Sequence, residues 1–204
     1  MNKFVAGLLA LPMLGAVATA ANATTVGVTT GEAFIPAGAV LEDFTSYTAV
    51  TTPIGGFTPG IGIATTDLAG QHVMPFSVDT GTYAYVSKGE SPVTLHLTGD
   101  MTYFGLLWGT VDNYNTISFY DGATLVGSFT GGSVLPGADG SSVVYANFWA
   151  HGGTFDTVVF TTTSEAFEFD NVRVAATPLP AALGLFGSAI VGMGALGLRR
   201  RRQA

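Results

Sequence analysis

Between residues 24 and 176 the hydrophobic positions recur with a period of two. Val93-Thr94-Leu95-His96-Leu97-Thr98 alternates strictly, Thr116-Ile117-Ser118-Phe119 does so over a shorter run, and 157–162 follows in part. Such alternation marks strands with one buried and one wet face, and nothing in the region repeats at the helical period of 3.6. Asp121-Gly122, set between Ile117-Ser118-Phe119-Tyr120 and Ala123-Thr124-Leu125-Val126, predicts a hairpin, because a two-residue turn needs the positive φ that Asp-Gly supplies at low cost. Gly99-Asp100, Gly131-Gly132 and Gly137-Ala138-Asp139-Gly140 are further breaks. The intervening runs predict strands near 40–50, 73–79, 82–87, 92–98, 102–109, 115–120, 123–130, 142–150, 154–162 and 165–174. The stretch 51–62, rich in Gly and Pro, reads as a long surface loop. Strands at this spacing, rich in Thr, Val, Phe and Tyr, place the region in the all-β class as an antiparallel β-sandwich, with a jelly roll as the expected topology.

One strand breaks its own rhythm. In Ala166-Phe167-Glu168-Phe169-Asp170-Asn171-Val172-Arg173-Val174 the large apolar residues occupy odd positions, then even ones, so the inward face switches at Asp170-Asn171. A bulge there would return both halves to one core.

The two ends have a different pattern. Met1-Asn2-Lys3 is a short positive segment, 4–17 is apolar, and Ala21-Asn22-Ala23 offers the small residues that signal peptidase reads, so 1–23 is expected to be a cleaved signal peptide. Its apolar run is shorter than the roughly 20 residues a spanning helix requires. At the other end, 181–198 is uncharged, long enough to span, and followed by Arg199-Arg200-Arg201-Arg202, which the positive-inside rule holds in the cytoplasm. The body, 24–176, is therefore expected to be exported.

Thr177-Pro178-Leu179-Pro180-Ala181-Ala182, the apolar helix and the arginine cluster together resemble the PEP-CTERM sorting signal of Gram-negative bacteria, with Leu179 standing where the family usually has glutamate. The resemblance implies that 177–204 is recognised by an exosortase, and that the chain passes through an inner-membrane-anchored intermediate to the cell surface or extracellular matrix. Pro178, Leu179, Pro180, Arg199, Arg200, Arg201 and Arg202 carry it.

Setting the ends aside changes the charge. The body holds all 14 acidic residues against two basic ones, Lys88 and Arg173, a formal charge of −12 where the whole chain has −7. Such a surface repels phosphate backbones and excludes nucleic acid as a partner, while calcium or neutral glycans suit it, as does plain solubility. There is no cysteine, which excludes disulfides, thiol catalysis and cysteine metal sites, so the hydrophobic core must stabilise the body. That length suits one domain.

The strand carrying Asp170-Asn171 resembles the closing strand of secreted jelly-roll domains, including bodies found ahead of PEP-CTERM tails. In carbohydrate-binding jelly rolls an aspartate here joins acidic residues of the first strand around a structural calcium. The resemblance implies Asp170 with Asp43 and Glu42 as ligands; the alternative is a turn-forming Asp-Asn pair that needs no cofactor. Glu168 and Asp170, two apart, are a carboxylate pair of the kind glycoside hydrolysis uses. They resemble a Glu-x-Asp-x-x-Glu motif of jelly-roll endoglucanases, but Arg173 occupies its last position.

His72, His96 and His151 have no metal-ligand spacing, and no nucleophile elbow or P-loop is present. Aromatic residues beside amides suit sugar rings, and Trp108, Tyr114 and Trp149, with His151 near the last, are the candidates for glycan contact; core packing is the alternative. Three classes follow: a structural or interaction protein of the surface or matrix that is not an enzyme, a module binding extracellular polysaccharide, and a divergent glycoside hydrolase. The first is the expected one.

Overall fold

The computed structural model describes residues 23–47, 52–75 and 81–176. The signal segment up to residue 22, the sorting signal 177–204 and the predicted spanning helix 181–198 lie outside the described residues. Among the described residues no helix is long and apolar enough to cross a membrane.

Twelve strands are described: β1 (Thr25–Thr30), β2 (Val40–Glu42), β3 (Gly55–Thr58), β4 (Gly62–Ala64), β5 (Tyr83–Val86), β6 (Val93–Met101), β7 (Tyr103–Gly109), β8 (Asn115–Asp121), β9 (Thr124–Thr130), β10 (Val144–His151), β11 (Phe155–Thr162) and β12 (Phe167–Ala175). One helical turn, α1 (Gly131–Val134), follows β9. All strand pairs are antiparallel. One sheet runs β1-β10-β7-β12-β5-β4, with β2 also on β12, and the other runs β3-β6-β11-β8-β9.

Phenylalanines join the two sheets. Phe160 of β11 stacks on Phe169 of β12 at 4.7 Å with an 8° interplanar angle and meets Phe167 edge-on. Phe119 of β8 packs on Phe148 of β10 and Phe104 of β7. Each ring removes a large apolar area from water, which gives a cysteine-free body its stability. The alternation of β8 is expressed directly: Asn115, Ile117 and Phe119 are buried while Thr116, Ser118 and Tyr120 are half-buried. In β6, Val93 and Leu95 are buried and His96 is exposed. By contrast β7, central in its sheet, is buried at every residue.

The face switch in β12 is a bulge. Asp170 pairs with Leu107 and Arg173 with Gly105, so two residues oppose one, and Asn171 takes a left-handed φ of 49°. Phe167, Phe169, Val172 and Val174 all reach the core. The partner strand changes at the same place, from β5 along Phe167–Phe169 to β2 along Val172–Val174.

Other expectations need correction. The predicted loop 51–62 contains β3, with Ile54 and Phe57 in the core. Gly55 is needed there because a Cβ would collide with the His96 carbonyl. Of the predicted strand 40–50, the described residues 40–47 form a strand only over Val40–Glu42, for the chain turns at Phe44, whose φ is 57°. Residues 73–75 of the predicted strand 73–79 form no strand. The hairpin turn is Gly122-Ala123, one residue later than expected, since Asp121 pairs with Thr124. Strand β1 was not expected: Val26 and Val28 are its only large apolar residues.

Candidate functional site

Polar chemistry is concentrated on the side of the seven-stranded sheet that faces away from the core. Phe167 and Phe169 point inward, so the alternation of β12 places Glu168 and Asp170 on the opposite side, yet both are almost completely buried. A strap, residues 65–75, covers Glu168. Within it Leu68 and His72 exchange two backbone hydrogen bonds, and the Met74 amide donates to Asp67 Oδ1 at 2.7 Å.

His72 fixes the strap to β5. The Tyr83 hydroxyl donates its single proton to the Thr66 carbonyl at 2.9 Å, so His72 Nδ1, 2.7 Å from the same oxygen, carries the proton of that contact. The imidazole also stacks on Tyr85 at 4.2 Å. Gly62 of β4 lies across from Tyr85, and a Cβ there would strike the ring. Tyr83 is held well above the ordinary tyrosine pKa, first by burial and then by the charges of Asp67 and Glu168.

Glu168 accepts two hydrogen bonds, from the Val73 amide at 2.9 Å and from the Thr110 hydroxyl at 2.6 Å. Thr110 sits just past β7 with a left-handed φ of 43°. Burial pushes the Glu168 carboxyl from 4.5 up to about 7; its two donors oppose the shift and the Asp112 charge adds to it. A carboxylic acid of this kind is half-protonated near neutrality, as a general acid must be, but Glu168 is only 2% exposed beneath the strap. The sequence showed Glu168 and Asp170; no local pattern pointed to Thr110, Tyr83, or His72 and the Val73 amide of the strap, which come from three separate segments.

Of the residues expected to hold calcium, Glu42 and Asp170 stand on opposite sides of the sheet: Glu42 pairs across from Val172 on the core-facing side, whereas Asp170 lies on the other. Glu42 Oε1 accepts from the Phe44 amide at 2.7 Å, and Asp43 Oδ1 accepts from the Thr45 amide and hydroxyl at 3.1 and 2.6 Å. Among the described residues no group of three or more acidic, His or Cys side chains is placed to hold a metal ion.

The glycan candidates separate as well. Trp108 is in the core with its indole stacked on Phe167 at 4.4 Å, so its ring face is closed to a sugar. Tyr114 is half-buried, and its hydroxyl donates to the Glu165 carbonyl at 2.8 Å. Trp149 is half-buried beside Tyr103 and faces Gly27 of β1, which has no side chain to cover it; exposed His151 lies alongside. Beneath them Tyr103 donates to Asn147 Oδ1, and Asn147 Nδ2 donates to the Gly31 carbonyl, which ties β1 and the following turn to the sheet. Arg173 lies 5.7 Å from the Tyr145 ring centre and donates to its hydroxyl at 3.4 Å. No family model, curated protein or solved structure matches the chain.

Proposed function

We propose that this chain is an exported structural or interaction protein of the bacterial surface or extracellular matrix, with a jelly-roll body delivered through an exosortase. One observation carries the reading: the first strand begins at Thr25 and the last ends at Ala175, each two residues from an expected processing segment. Removing 1–23 and the tail from 177 onward therefore leaves every described strand whole. Strand order supports the jelly roll, since β5-β12-β7-β10 faces β6-β11-β8-β9, the arrangement of two interlocked Greek keys.

The body serves as scaffold and surface rather than as an enzyme. Glu168 is closed off by the strap and held by two donors, which supports a packing role. Signal peptidase and exosortase are the partners in export, and the acidic body disfavours nucleic acid. Changing Pro178 and Pro180 to Ala tests the reading: the variant accumulates in the inner membrane fraction while the parent chain reaches the outside, and equal release of both would overturn it.

Trp149 favours glycan binding as a second reading, being a half-buried indole beside exposed His151 and Gly27. Extracellular polysaccharide retained by the parent chain and not by Trp149→Ala would support it; equal retention would count against it.

A further inference from the structure

At the end of the sandwich where β12 finishes, the two sheets leave a pocket of about 310 Å³ between them. Its walls are mainly apolar: Val40 of β2, Val174 at the end of β12, Met101 at the end of β6, Pro53 and Ala37. Ala175 and Ala176 form its rim, and the chain continues from there into Thr177-Pro178-Leu179-Pro180. We propose that this pocket receives the chain's own sorting segment, with the Leu179 side chain seated between Val40 and Met101 and the two prolines lying over the rim.

Four observations support this occupant. Leu179 is the first large aliphatic residue after Val174. It lies three residues beyond Ala176, a reach of at most about 10 Å. Pro178 and Pro180 fix φ on either side and restrain the residues before them to extended conformations, so docking the segment loses less chain entropy than docking an ordinary peptide. Val40 itself is 45% exposed although its register partner Val174 is 1% exposed, which leaves an apolar surface that a leucine would cover. The pocket forms only when β2, β6 and β12 are assembled, so the segment is held against the body only once the body has folded. For its purpose, presenting a sorting signal on a folded domain, the inference rests on the exosortase reading; the contact itself does not.

The absence of cysteine gives a clean test. The full chain, made in a cell without exosortase and kept in its membrane, carries either Val40→Cys with Leu179→Cys or Leu41→Cys with Leu179→Cys. Leu41 is a matched control, 38% exposed but alternating to the other face of β2 opposite Arg173. A disulfide needs Cα atoms within about 7 Å and Cβ vectors that point toward each other, so a docked Leu179 pairs with position 40, on the pocket side, and not with position 41, whose Cβ points to the other face. The 40–179 bond is expected to form at least about tenfold faster than the 41–179 bond under mild oxidation, read as a disulfide-linked peptide by mass spectrometry. Equal rates, or no 40–179 bond, would overturn the proposal. The sorting reading is read separately, from tail removal in a cell that has exosortase: a 40–179 preference without removal leaves docking and sinks sorting, and removal without the preference does the reverse.

Discussion

Replacing Glu168 by Gln changes how the stability of the body depends on pH. Gln has the same shape and retains both contacts: its carbonyl accepts from the Val73 amide, and its amide donates to the Thr110 oxygen once that hydroxyl turns. What it removes is a charge that burial opposes. The folded carboxyl titrates near 7 against 4.5 for the free side chain. Its folded pKa is raised, so stability is full below pH 4.5, falls as the pH rises through 7, and levels off above. The loss is about 3 kcal/mol at 1.36 kcal/mol per unit, or about 6 to 12 °C in melting temperature for a domain of this size. Urea unfolding of the released body, followed by the fluorescence of buried Trp108, reads it at pH 4.5 and pH 8. The parent and the Glu168→Gln protein should be equally stable at pH 4.5, with the variant about 3 kcal/mol more stable at pH 8. Burial also raises Glu42 and Asp112, which steepens both curves alike, so the difference between the proteins isolates Glu168. A variant whose curve runs parallel to the parent's would refute the assignment of a buried, strapped acid.

Three further outcomes follow from packing and backbone geometry. Phe160→Ala removes a ring that packs on Phe57 of its own sheet and on Phe104, Phe167 and Phe169 of the facing one, and chemical unfolding should show a loss of about 3 to 5 kcal/mol. At the bulge, Asn171→Gly should be nearly neutral and Asn171→Val should cost about 1 to 3 kcal/mol in the same assay, because the φ of 49° is disfavoured for a β-branched residue. Since one carboxylate oxygen of each of Glu42 and Asp43 accepts local hydrogen bonds and Glu42 stands on the opposite side of the sheet from Asp170, a chelator should leave the melting temperature seen by calorimetry unchanged; a drop would restore calcium to this edge.

The sequence was legible wherever strands had one wet face. The alternation in 93–98 and 116–119 marks β6 and β8, and the phase break at Asp170-Asn171 marks the bulge, because a period of two leaves no other way to keep Phe169 and Val172 in one core. Strand β3 was hidden by Gly55-Gly56, where composition signals a loop but the nearby His96 backbone demands glycine. Strand β1 shows only two valines among threonines and derives its order from pairing with β10 over six residues. The candidate site was half readable. Glu168 and Asp170 stand two apart in one strand, but the strap over them depends on contacts such as Val73 to Glu168, 95 residues apart, which no local pattern encodes. Trp108 shows the reverse difficulty: an aromatic beside amides fits a sugar platform and a core equally well, and only the Phe167 ring against it decides.

Export with removal of both ends is the central claim, and the intact mass of the protein recovered outside the cell tests it most directly. The account predicts a chain beginning at Thr24 and ending within the segment after Ala176, with the apolar run 181–198 and Arg199–Arg202 gone, together with the mass of any group added on transfer. A protein whose mass includes Ala204 would contradict it.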